Sequence, residues 1–69
     1  MDMNWCDGFE IGVRVEGGAV VLAANRDGLL SLANHLTALA EAPAGSHIHL
    51  DEYNSLEAGS AGLILEKLG

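Results

Sequence analysis

The sequence predicts one small α+β domain of order ββαββ. The expected form is a four-stranded antiparallel sheet with a single helix packed on one face. Three observations carry this. Apolar residues alternate with polar ones over residues 9–16, recur at helical spacing over 29–40, and alternate again over 46–51. Sixty-nine residues make one domain, 1–69, and not two, with residues 1–8 as a loosely ordered N-terminus.

Phe9, Ile11, Val13 and Val15 alternate with Glu10, Gly12, Arg14 and Glu16. This is a strand with one buried face. Gly17-Gly18 follows, and two glycines tolerate the positive φ angles of a type I′ turn. The second strand is then 19–24. A two-residue turn pairs Glu16 with Ala19, Val15 with Val20 and Val13 with Leu22, so apolar residues meet apolar ones.

Asn25 is suited to cap a helix, and Asp27 places a negative charge near its positive end. Leu29, Leu32, Ala33, Leu36, Leu39 and Ala40 form its apolar stripe over about four turns. Pro43 ends it by forcing Ala42 out of the helical region, and Gly45 permits a reversal. In the strand 46–51, Ile48 and Leu50 share one face, and His47, His49 and Asp51 the other. A polar loop covers 52–61, where Asn54 or Ser55 is placed to cap a single helical turn ended by Gly59. Gly62-Leu63-Ile64-Leu65 shows no alternation, which predicts a strand over 62–68 covered on both faces.

The two least polar strands, 19–24 and 62–68, are expected at the centre of the sheet. The charged ones are expected at its edges, giving the order 1-2-4-3. The face not covered by the helix carries Gly12, Arg14, Val21 and Ala23. A small-residue apolar patch beside charge on an open sheet is a candidate homodimer interface, because so short a chain has a marginal core.

Ten acidic residues stand against three basic ones, a formal net charge of −7. That excludes nucleic acid as a natural partner, since phosphate contacts need Lys and Arg. It steers basic partners towards the surface. The N-terminus has no basic segment followed by an apolar run, so no secretory signal is read there, and no stretch approaches the ~20 apolar residues of a membrane helix. Cys6 is the single cysteine. With no disulfide possible within the chain, a reducing cytoplasm is the expected setting, with Cys6 a small apolar side chain and not a reactive thiol.

His47, His49 and Asp51 are candidate metal ligands by type and by their shared strand face. The spacing is common by chance and no fourth ligand or supporting shell is evident, so the expectation is that no metal is held there. His35 reads as a boundary residue on the helix edge. Residues 51–62 fail as a calcium loop, because Leu56 stands where glycine is needed and Gly62 where glutamate is needed. No phosphate-binding glycine loop and no nucleophile elbow is present. No cofactor and no catalytic residue is expected. Tyr53 reads equally as a lid over the end of the sheet and as a contact residue, and Trp5 shares that ambiguity.

The stretches Asn25-Arg26-Asp27-Gly28-Leu29-Leu30-Ser31-Leu32-Ala33-Asn34-His35-Leu36 and Gly45-Ser46-His47-Ile48-His49-Leu50-Asp51-Glu52-Tyr53 resemble the immunity protein 32 family. So do Leu56-Glu57-Ala58-Gly59-Ser60 and Leu63-Ile64-Leu65-Glu66-Lys67. The resemblance spans about residues 9–68. It implies a bacterial protein that binds and blocks a cognate toxin of a polymorphic toxin system. A basic toxin, such as a nuclease, fits the acidic charge. The partner-contact residues are expected from the loop's own chemistry, three acids around an aromatic in a loop longer than a hairpin needs: Asp51, Glu52, Tyr53 and Glu57. Two other readings stand beside it: a metal-binding module or enzyme built on His47, His49 and Asp51, and a structural homodimer.

Overall fold

The structure is a computed structural model and describes residues 5–69. The element order is ββαββ: β1 (Ile11–Glu16), β2 (Ala19–Ala24), α1 (Arg26–Ala40), β3 (His47–Leu50) and β4 (Leu63–Glu66). The α+β class, the four strands and the long helix of the sequence reading are present. Their assembly differs from it.

β1 and β2 form the expected hairpin in the expected register, with Glu16 opposite Ala19, Val15 opposite Val20 and Val13 opposite Leu22. Gly17 and Gly18 sit at φ 54° and 83°, so a side chain at either position would strain the turn. The helix begins at the Asn25 cap, whose Oδ1 accepts from the Gly28 amide at 2.8 Å. Gly45, at φ 86°, makes the reversal into β3. β3 pairs antiparallel with β4, Leu50 opposite Leu63 and His47 opposite Glu66.

The four strands do not form one sheet. They form two separate two-stranded sheets, β1-β2 and β3-β4, so the order 1-2-4-3 is corrected. β2 and β4, expected at the centre, are both edges. The backbone of 57–61 explains why. It runs beside the outer edge of β1, where the Ile11 carbonyl accepts from the Glu57 amide at 2.9 Å and the Val13 carbonyl from the Ala61 amide at 2.8 Å. The Val13 amide donates to Ser60 Oγ at 3.2 Å. The chain therefore approaches β4 along β1 and not along β2, and it does so as a loop.

The core confirms this division. It consists of Ile11 and Val13 from β1, Leu32 and Leu39 from α1, Ile48 and Leu50 from β3, and Leu56 from the loop. β2 and β4 contribute no fully buried side chain. The alternating, charge-bearing strands build the core, because Ile11 and Val13 of β1 and Ile48 and Leu50 of β3 turn branched side chains inward. The continuous apolar runs lie half outside it: Val20 is 63% exposed and Ile64 59%. β4 alternates half-buried Leu63 and Leu65 with exposed Ile64 and Glu66, so it is not covered on both faces. Residues 52–61 contain turns and no helical turn.

Part of the loose N-terminus expected over 1–8 lies in residues 1–4, outside the described residues. Trp5 stacks on Phe9, with ring centroids 4.5 Å apart, and meets the His35 ring edge-on at 4.0 Å. The Cys6 amide donates to Ser31 Oγ at 2.8 Å, and Asn25 Nδ2 to the Gly8 carbonyl at 2.9 Å. His35 is completely buried, on the helix face it shares with Gly28, Ser31, Leu32 and Leu39, which corrects its reading as a boundary residue and the apolar stripe expected through Leu29, Ala33 and Leu36.

Candidate functional site

The loop after β3 is built on Asp51. Its carbonyl accepts from the amides of Asn54, Ser55 and Leu56, and its carboxylate accepts from the Tyr53 amide at 2.9 Å. Asn54 closes the turn from the other side: Oδ1 accepts from the Asp51 amide at 3.0 Å, and Nδ2 donates to the His49 carbonyl at 3.1 Å. Glu52 Oε2 accepts from the Gly59 amide at 2.8 Å and ties the two ends of the loop together. These side-chain caps replace a hydrogen-bond ladder and define the loop's path.

Leu56 is the lid, 5% exposed and packed in the core. Tyr53 is 90% exposed. The turn thus divides its two large side chains, one inward and one outward. The Asp51 and Glu52 carboxylates each accept a backbone amide of the loop, while that of Glu57 is exposed and draws no bond from it.

The adjoining outer face of β3-β4 carries His47 and His49, edge-to-face at 4.8 Å between ring centroids. Opposite them in register stand Glu66 and Ile64. His47 Nδ1 lies 3.2 Å from the Gly45 carbonyl. Ile64 and Glu66 were not singled out from the sequence, because the apolar run 62–65 hides which of its residues face outward. Among the described residues, no three His, Cys, Asp or Glu side chains gather as a metal-binding group, and the Asp51 carboxylate is directed at the Tyr53 amide.

Gly12 and Arg14 lie on β1, opposite Ala23 and Val21 of β2. A shallow cleft of about 220 Å³ joins Gly12, Val13 and Arg14 to Glu57, Ala58, Gly59 and Ser60. The structure therefore brings the β1 end of the expected dimer face beside the acidic loop, two surfaces that are separate in the sequence. The cleft is below the ~300 Å³ at which small-molecule pockets begin. Arg14 pairs with Glu16 at 3.1 Å, Arg26 lies 3.7 Å from Asp27, and Lys67 donates to the carbonyls of Ala40 and Ala42, both at 2.7 Å. All three basic residues have partners of their own, and Arg14 also lines the cleft beside Glu57.

The fold and surface are those of a small acidic α+β body with an outward aromatic on a constrained loop. A family model described as Immunity protein 32 matches residues 19–68. The chain belongs to the immunity protein 32 family. The match begins at β2, so β1 lies before it. No curated protein and no solved structure matches the chain. No helix among the described residues is long and apolar enough to cross a membrane.

Proposed function

We propose that this protein neutralises a cognate bacterial toxin by direct, stoichiometric binding in the cytoplasm, and that it catalyses no reaction. The contact surface in this reading is the loop Asp51–Glu57 with the outer face of β3-β4. The observation that carries it is Tyr53: 90% exposed, held by a capped turn, and unnecessary to a core that Leu56 already closes. A rigid tyrosine gives contact area at small entropic cost. Asp51, Glu52 and Glu57 lie in the same loop and give it negative charge. A basic toxin, a nuclease for example, would be drawn to that charge and its substrate-binding surface occluded. A second copy of the chain is the other partner, and the free protein is a homodimer in this reading.

Two rates separate the roles. Tyr53→Ala raises the dissociation rate of the toxin complex and costs ~2 kcal/mol. Glu57→Gln slows association and lowers its salt dependence. Glu57 is the better choice than Glu52, whose carboxylate also accepts the Gly59 amide, so that its loss would loosen the loop. Surface binding to the product of the neighbouring toxin gene measures both. Folded variants with unchanged rates would place the toxin elsewhere on the molecule.

A further inference from the structure

The chain crosses helix α1 before it enters β1, and the crossing segment is held unevenly. From Gly8 onwards it is fixed: Asn25 Nδ2 donates to the Gly8 carbonyl at 2.9 Å, and Asn25 Oδ1 accepts from the Glu10 amide at 3.0 Å. Before Gly8 the hold is slight. The Cys6 amide donates to Ser31 Oγ at 2.8 Å, the Cys6 carbonyl accepts from the Phe9 amide at 3.3 Å, and Trp5 lies half-buried against Phe9 and His35. Gly8 joins the two parts at φ 79°.

Against Trp5 lies a group that the fold leaves unpaired. His35 has no exposed surface, and neither Nδ1 nor Nε2 has a partner among the described residues. An imidazolium there would bring a second N–H donor and a charge with nothing to receive them. β1 and β3 turn only apolar side chains inward, Ile11, Val13, Ile48 and Leu50, while His47 and His49 stand on the outer face of β3. The titratable groups of the crossing segment are Cys6 and Asp7, and Asp27 lies about two turns back on α1. None of these pairs with the ring. Burial, and not a neighbouring charge, lowers its pKa.

A protonated His35 has two routes to water. Moving its helix would draw Leu32 and Leu39, on the same face, out of the core. Moving Trp5 costs the bonds of Cys6 to Ser31 and Phe9, whose groups meet water once freed, and Ser31 Oγ keeps its bond to the Asp27 carbonyl at 2.8 Å. The second route is a local opening of the least-tied segment and spares the core. We propose that residues 5–7 are an acid-sensitive lid over His35: protonation of the ring swings them out on Gly8, while the hairpin, the helix and β3-β4 stay folded. The lid is closed above the ordinary histidine value of 6.5, and it opens as pH falls below that towards the lowered value of the closed state. Opening bares Trp5 and the Ser31–His35 face of α1. The device is independent of the toxin reading, whose contact surface is β3-β4 and the loop after β3.

Trp5 is the single tryptophan, so its emission reports this segment. On acidifying the whole chain from about pH 7.5 to 5, the expected result is a red-shifted emission and stronger quenching by acrylamide, with unchanged far-ultraviolet circular dichroism. His35→Leu should hold the emission constant over the same range. In the wild type, the His35 ring protons followed by NMR should titrate with the midpoint of the Trp5 change, a test that stands even if His35→Leu does not fold. A Trp5 emission that stays constant to pH 5 overturns the lid. So does a loss of circular dichroism in step with the Trp5 change, which is global unfolding. A red shift that persists in His35→Leu, or a midpoint apart from that of the His35 ring, overturns His35 as its trigger.

Discussion

His35 is fully buried against Trp5, and neither ring nitrogen has a hydrogen-bond partner among the described residues. Burial lowers its pKa from the ordinary 6.5, because the charged imidazolium loses its hydration. The folded state therefore binds this proton less readily than the unfolded chain. The neutral ring's contribution is fully present above the unfolded value of 6.5 and is lost as pH falls towards the lower folded value. Thermal midpoints between about pH 7.5 and 5, above the range of free carboxylates, should fall with acidification. His35→Leu should flatten that slope and hold or raise the midpoint at neutral pH, since an apolar side chain leaves no buried polar atom unpaired. An unchanged slope in His35→Leu would assign the acid sensitivity to other groups.

Helix α1 depends on how closely its first turn approaches the hairpin. A Cβ at Gly28 would lie 2.5 Å from the Glu10 carbonyl oxygen, 2.9 Å from Ile11 Cγ1 and 3.0 Å from Ala24 Cβ. The nearest of these is backbone and already accepts from the Asn25 amide, so it has little room to yield. Replacing a helical glycine by alanine ordinarily gains up to ~1 kcal/mol. Here overpacking of ~1–3 kcal/mol wins, and Gly28→Ala should lower the urea midpoint. Asn25→Ala should also destabilise, by ~1–2 kcal/mol, because Oδ1 accepts from both Gly28 and Glu10 and Nδ2 holds Gly8. A neutral result at Gly28 would mean the helix can tilt away from β1.

The whole molecule is a flattened body, 31 × 30 × 19 Å, with about two layers across its thin direction. Its only described ion pairs engage Glu16 and Asp27, so most of its ten acids stay uncompensated. Association with a basic toxin should therefore slow steeply as ionic strength rises, while dissociation changes little. Stopped-flow measurement across a salt series checks this. A flat association rate would remove electrostatic steering from the proposed mechanism, even with Tyr53 still in contact.

The sequence by itself determined the four strands, the long helix and the local chemistry that bounds them: the Gly17-Gly18 turn and its register, the Asn25 cap, the stop at Pro43, and the inward Ile48 and Leu50. Each depends on residues near one another in the chain, where φ restriction, capping and side-chain period act directly. It also determined the acidic charge and carried the family's motifs. Only the tertiary structure decided how the strands associate. The apolar runs of β2 and β4 read as sheet centres, yet backbone pairing between 57–61 and β1 left both at edges. Tyr53 reads from the sequence equally as lid and contact residue; the Asp51 turn sends it outward and Leu56 into the core. His35 is a core residue because the buried face of α1 runs through Gly28, Ser31, Leu32, His35 and Leu39, and not through Leu29, Ala33 and Leu36, with Trp5 packed against its ring. Hydrophobic burial carries no label of its partner, so long-range pairing is settled by competition among edges and faces that local periodicity does not encode.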